Sequence, residues 1–207
     1  MVMRILREPL RLIRANLRAY LVLNAIVYGL CLVGMAVAMI FPQLNTAQQT
    51  IMNDNGTTGL VTSLLSNVWL FALTIFAVNV GTVALPVILL PSLIVPFSGI
   101  AVFAYRAFNF GVTLAPVNEV SATILIPHSL TMIIEFQAYA VVMFAAYLIG
   151  KAWLWPKTVD ASTRRQAYLR GLGQARWLGL PALALFVVGA VYEAFEIIYL
   201  VPPLLAG

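Results

Sequence analysis

Apolar residues fall into five long runs along the chain: Ala19–Phe41, Asn67–Leu85, Phe97–Ala115, Ile124–Gly150 and Trp177–Val201. Each is close to or above the roughly 20 residues a helix needs to cross the hydrocarbon of a bilayer. The pattern therefore predicts about five transmembrane helices, at 19–41, 67–85, 97–115, 124–150 and 177–201. Between the first two runs, "PQLNTAQQTIMNDNGTTG" is polar and turn-rich. Between the second and third, "PVILLPSLIVP" contains Pro86, Pro91 and Pro96. It is too short to cross a membrane and too rich in proline for one straight helix. The expectation over 86–96 is a broken or re-entrant connection packed against protein, since irregular backbone is not tolerated against lipid. Ahead of the first run, "RILREPLRLIRANLR" places Arg4, Arg7, Arg11, Arg14 and Arg18 at spacings of 3, 4, 3 and 4. That spacing gathers five arginines on one helical face. It predicts an N-terminal amphipathic interfacial helix over 1–18, with regular turns from about Glu8 or Pro9. The fold class expected is an all-α integral membrane protein with a single transmembrane domain over 1–207.

Composition strengthens this picture. The 207 residues are 62% hydrophobic and 9% charged, with a mean hydropathy of +0.97, whereas a soluble domain carries about 25% charged residues. A globule with so few charges cannot cover its surface, so the first partner is the lipid bilayer. The basic residues give orientation. Five arginines precede the first run, and Lys151, Lys157, Arg164, Arg165, Arg170 and Arg176 lie between the fourth and fifth. With five spans both groups fall on one side, which the positive-inside rule makes the cytoplasm. The reading is a multi-pass protein of the cell (inner, cytoplasmic) membrane, N-terminus cytoplasmic and C-terminus outside. The first apolar run reads as an uncleaved span rather than a signal peptide. The pI of 9.7 is then an orientation signal, and no nucleic-acid partner is expected. Cys31 is the single cysteine, which excludes an internal disulfide. The chain has one histidine, no G-x-S-x-G and no Walker motif. Neither enzymatic activity nor a metal or cofactor is expected.

One basic residue is left over. Arg106 lies in the middle of the third run, where a charge costs from about 3 to more than 10 kcal/mol. Four glutamates lie within or near the membrane: Glu119 at a loop, Glu135 part-way along the fourth run, and Glu193 and Glu196 in the fifth. By depth, Glu135 is the expected partner of Arg106 and Glu193 the next choice. His128 precedes Glu135 by seven residues, close to two helical turns, so both face one way. Asn79 in the second run and Asn109, one turn after Arg106, add amides. An intramembrane polar cluster of Asn79, Arg106, Asn109, His128, Glu135 and Glu193 is therefore expected, serving either as helix-packing glue or as a polar path. Small residues four apart, Ala77/Gly81 and Ala107/Gly111, suit close helix packing and suggest other membrane subunits or a second copy as partners.

Four stretches, "FAVNVGTVA" (76–84), "FNFGVTLA" (108–115), "IPHSLTMIIEFQAYAVVMFAAYLIGKA" (126–152) and "VYEAFEIIYLVPPLL" (191–205), resemble the stage II sporulation protein M family. The resemblance covers roughly Asn67 onward and is most specific in "IPH", "EFQA" and "YEAFE". It implies a helical polytopic subunit without catalytic activity of its own, one that assembles or anchors a larger membrane complex. Its alternative implication is a permease subunit of an ABC-type exporter, working with a separately encoded cytoplasmic ATPase. The N-terminal arginine face suits either a headgroup anchor or the elbow helix that precedes the first span of many such permeases.

Overall fold

The computed structural model describes the backbone of residues 2–206 and the side chains of residues 7–206. It is all-α, with no strand among the described residues. Helix α1 (Val2–Ala15) and helix α2 (Leu17–Ile40) are parted by Asn16 alone, whose Nδ2 donates to the Leu12 carbonyl at 3.1 Å. Pro9 lies inside α1 rather than opening it. Arg7, Arg11 and Arg14 are exposed on α1, and Arg11 pairs with Glu8 at 2.7 Å. Arg18 stands beyond the break, in the first turn of α2, so the arginine face is not one unbroken helix. The side chain of Arg4 lies outside the described residues.

The polar stretch after α2 is helical rather than a loop, forming α3 (Pro42–Asp54) and α4 (Thr57–Leu64) around the left-handed Gly56. Helix α5 then runs unbroken from Val68 to Ile94, which corrects the broken or re-entrant connection expected at 86–96. Proline lacks an N–H and its ring clashes with the carbonyl four residues earlier. Here the turns over Asn79–Leu89 widen to π-helical spacing around Pro86, which relieves that clash without ending the helix. Pro91 opens the ordinary turns that follow. The break comes later, at Val95–Phe97, where Phe97 takes φ +68°. Its ring packs on Gly150 and against Tyr147 at 6.0 Å, contacts that hold the unfavourable backbone in place.

Helix α6 (Ser98–Leu114) follows, then α7 (Glu119–Leu154), a short 3₁₀ turn at Pro156–Val159, and α8 (Arg164–Ala206), which includes a π-helical stretch at Glu196–Leu200. Four helices are long and apolar enough to cross a membrane: α2, α5, α7 and α8. The third expected span, 97–115, is α6, and its 17 residues rise only about 25 Å. It packs along α2 through glycines on both helices. A Cβ at Gly34 would meet the Phe108 carbonyl, and one at Gly111 would meet the Cys31 carbonyl. Helix α7, the most enclosed of the long helices, packs on α2, α5, α6 and α8.

The two basic segments share one end of the molecule. Lys151 donates to Asn16 Oδ1 at 2.7 Å. Arg11, Asn16, Lys151, Thr158 and Gln174 line a cleft there of about 370 Å³. Large apolar side chains stay exposed along the long helices, among them Leu32, Trp69, Leu73, Ile126 and Leu180.

Candidate functional site

Between α3, α4, α5, α6, α7 and α8 lies a cavity of about 730 Å³. Its wall is mixed: Phe71, Val78 and Phe136 give it apolar surface, while Asn79, Arg106, Asn109, His128, Glu135 and Glu193 all reach it. Helix α3 closes one side because Asn45 donates to the Val112 and Thr113 carbonyls, each at 2.9 Å, satisfying the end of α6. Gln48 on the same helix donates to Asn109 Oδ1 at 3.3 Å.

The carboxylates group on α7 and α8. Asn79 Nδ2 donates to Glu135 Oε1 at 2.5 Å, and the Tyr139 hydroxyl donates to Asn79 Oδ1 at 2.9 Å. Asn79 is the first residue of the π-helical part of α5. The carboxyl groups of Glu135 and Glu193 lie beside each other in the cavity wall. Gly189 makes the approach possible: a Cβ there would stand 2.7 Å from Glu135 Cγ.

Deeper in the protein, Glu196 is fully buried and accepts from the Thr131 hydroxyl at 2.5 Å, while His128 Nδ1 lies 3.0 Å from its other oxygen. The sequence spacing that puts His128 and Glu135 on one face is present, but the bond of His128 goes to Glu196. Tyr192 donates to the Pro127 carbonyl at 3.2 Å, tying α8 to α7.

Arg106 departs from expectation. Among the described residues no carboxylate comes within 4.0 Å of its guanidinium, so the expected Arg106–Glu135 ion pair does not form. Its Nε is buried without a hydrogen-bond partner, and its Cζ stands 5.4 Å from the centre of the Phe110 ring. The reason is geometric: Glu135 turns toward Asn79 and Glu193, leaving Arg106 to face the open cavity. Tyr139, Thr131 and Gln48 also line the cavity, and Glu196 stands behind its wall, holding His128 and Thr131. Of these, Tyr139 stands one turn after Glu135, a signal the sequence did carry.

No metal-binding group of three or more His, Cys, Asp or Glu side chains occurs among the described residues. None of the family models, curated proteins or solved structures compared with this chain matches it.

Proposed function

We propose that the chain is a multi-pass, non-enzymatic subunit of a transport assembly in the cell membrane, whose cavity takes a small polar solute. The observation that carries this reading is the cavity of about 730 Å³ with Arg106, His128, Glu135 and Glu193 in its wall, set among helices long and apolar enough to cross a bilayer. Ionisable groups at membrane depth are costly and face a wet space or a partner rather than lipid. Polar groups serving only as packing glue would be closed over by side chains at interior density, whereas this cluster borders open volume. The two basic segments at one end support a cytoplasmic position for that end, with the far end of α8 outside. On this reading, α1 lies on the cytoplasmic surface, its exposed arginines among anionic headgroups. The sequence has no phosphate-binding loop, so an ATP-driven cycle would draw on a separately encoded cytoplasmic ATPase. The permease side of the stage II sporulation protein M resemblance is thus preferred.

One observation favours the other side, an assembly subunit. The Ala77–Gly81 face of α5 is exposed, with nothing within 4 Å of a Cβ at Gly81, as a site for a partner helix or second copy would be. Cysteine accessibility separates the two readings. In a Cys31→Ser background, Asn109→Cys and Met132→Cys line the cavity, and Leu32→Cys faces outward. A small charged thiol reagent is expected to modify the first two and spare the third. Inert cavity positions beside a reactive Ser162→Cys would reduce the cluster to packing glue and favour the assembly subunit.

A further inference from the structure

The cavity wall carries two opposite charges that do not meet. Arg106 on α6 supplies one. Its Nε is buried and unpartnered, and no described carboxylate is within 4.0 Å. Glu135 on α7 and Glu193 on α8, adjacent carboxyl groups in the same wall, supply the other. Both border the same space. A charge taken out of water without a counter-ion is costly, so each wall attracts the complementary charge of whatever enters.

The two charges together narrow the occupant. An anion alone would satisfy Arg106 but meet the carboxyl pair. A cation alone would satisfy the pair and leave Arg106 bare. A neutral solute would leave both. Only a molecule bearing one charge of each sign, held apart, answers both walls. We infer that the cavity is a binding site for a small zwitterion. Its carboxylate or phosphate lies on the Arg106 guanidinium, beside the Asn109 and Gln48 amides, and its ammonium lies on the Glu135–Glu193 pair. The apolar remainder of the wall, Phe71, Val78 and Phe136, accepts a hydrocarbon portion. The volume falls in the range of small-molecule sites, about 300–1,000 Å³. A free amino acid and a zwitterionic lipid headgroup both present this chemistry. The inference rests on the reading of the cavity as a solute site.

The test is calorimetric titration of the purified full chain in detergent at neutral pH. The amino-acid arm uses L-phenylalanine, its amide (ammonium only) and N-acetyl-L-phenylalanine (carboxylate only). The lipid arm uses dihexanoyl phosphatidylethanolamine against dihexanoyl phosphatidylglycerol, which lacks the ammonium. One zwitterion is expected to bind at least about tenfold more tightly than its single-charge counterparts, a difference of about 1.4 kcal/mol or more. The arm that shows it identifies the source. Arg106→Gln is expected to weaken the zwitterion at least about tenfold while leaving the ammonium-only probe within about twofold. That retained affinity also shows the variant is folded. Glu135→Gln combined with Glu193→Gln is expected to do the reverse, sparing the carboxylate-only probe. Single-charge probes binding as tightly as both zwitterions would overturn the inference. So would the absence of zwitterion binding at millimolar concentration in both arms. If that happens while Asn109→Cys and Met132→Cys remain reactive, the zwitterion falls and the solute cavity stands. If those cysteines are inert, the cavity reading itself falls.

Discussion

At the residue scale, the chemistry of this chain turns on which carboxylate a buried group finds. Depth along the sequence pairs Arg106 with Glu135. Packing pairs Glu135 with Asn79 and Glu193, and pairs His128 and Thr131 with Glu196. Direct contact should show as energetic coupling, because residues in contact do not contribute independently. In thermal unfolding of the detergent-purified protein, the Glu135→Gln and Glu193→Gln cycle is expected to deviate from additivity by about 1 kcal/mol or more. The Arg106→Gln and Glu135→Gln cycle is expected to deviate less. The opposite ranking would restore the ion pair that depth suggested. Glu196 is another matter. It is fully buried and both of its oxygens are engaged, so its place is fixed by α7 and it does not reach the cavity wall.

At the element scale, small residues decide how closely the helices approach. Gly111 and Gly81 look alike in sequence, each four residues after an alanine. The structure separates them. A Cβ at Gly111 would strike the Cys31 carbonyl and crowd the Met35 amide, which are backbone atoms that cannot swing away. Overpacking of this kind costs about 1–3 kcal/mol or more. Gly81 has open space, and alanine there gains helix propensity, about 1 kcal/mol. Gly111→Ala is therefore expected to lower the midpoint of thermal unfolding, while Gly81→Ala leaves it unchanged or raises it. Equal losses at both would show that the Gly81 face is covered in the native assembly. Proline plays the complementary part. Pro86 does not end α5, because eleven residues of π-helical turns, Asn79–Leu89, accommodate it. Those turns begin at Asn79, so the distortion also sets the residue that holds Glu135.

At the scale of the whole molecule, the arrangement of ends carries the functional reading. Asn16, Lys151 and the 3₁₀ turn at Pro156–Val159 meet at one end. Helices α3 and α4 are built from the polar stretch that leaves α2 at its other end. In a Cys31→Ser background, Ser162→Cys lies near the first end and Thr58→Cys in α4, both exposed. Intact cells treated with an impermeant thiol reagent are expected to label Thr58→Cys and spare Ser162→Cys. After membrane permeabilisation both should label. Labelling of Ser162→Cys in intact cells would invert the orientation, and labelling of both in intact cells would break the proposed path through the membrane.

Some of this was readable from residues alone, for a physical reason. Helix formation and hydrophobicity are local, so runs of apolar residues reported the four long helices, and the crowding of lysine and arginine reported which segments share an end. The seven-residue step from His128 to Glu135 was legible in the same way, because helical phase is set by the backbone itself. Other features depend on what a neighbour supplies and have no local signature. The helical course of α5 through Pro86 needs turns that widen, and the short α6 needs glycines on α2 to lie against. The Glu135–Glu193 contact joins side chains 58 residues apart in sequence, brought together because Gly189 lets α8 close on α7. With its expected partner engaged elsewhere, Arg106 is left facing the cavity. Its charge was plain in the sequence; its freedom was decided by packing.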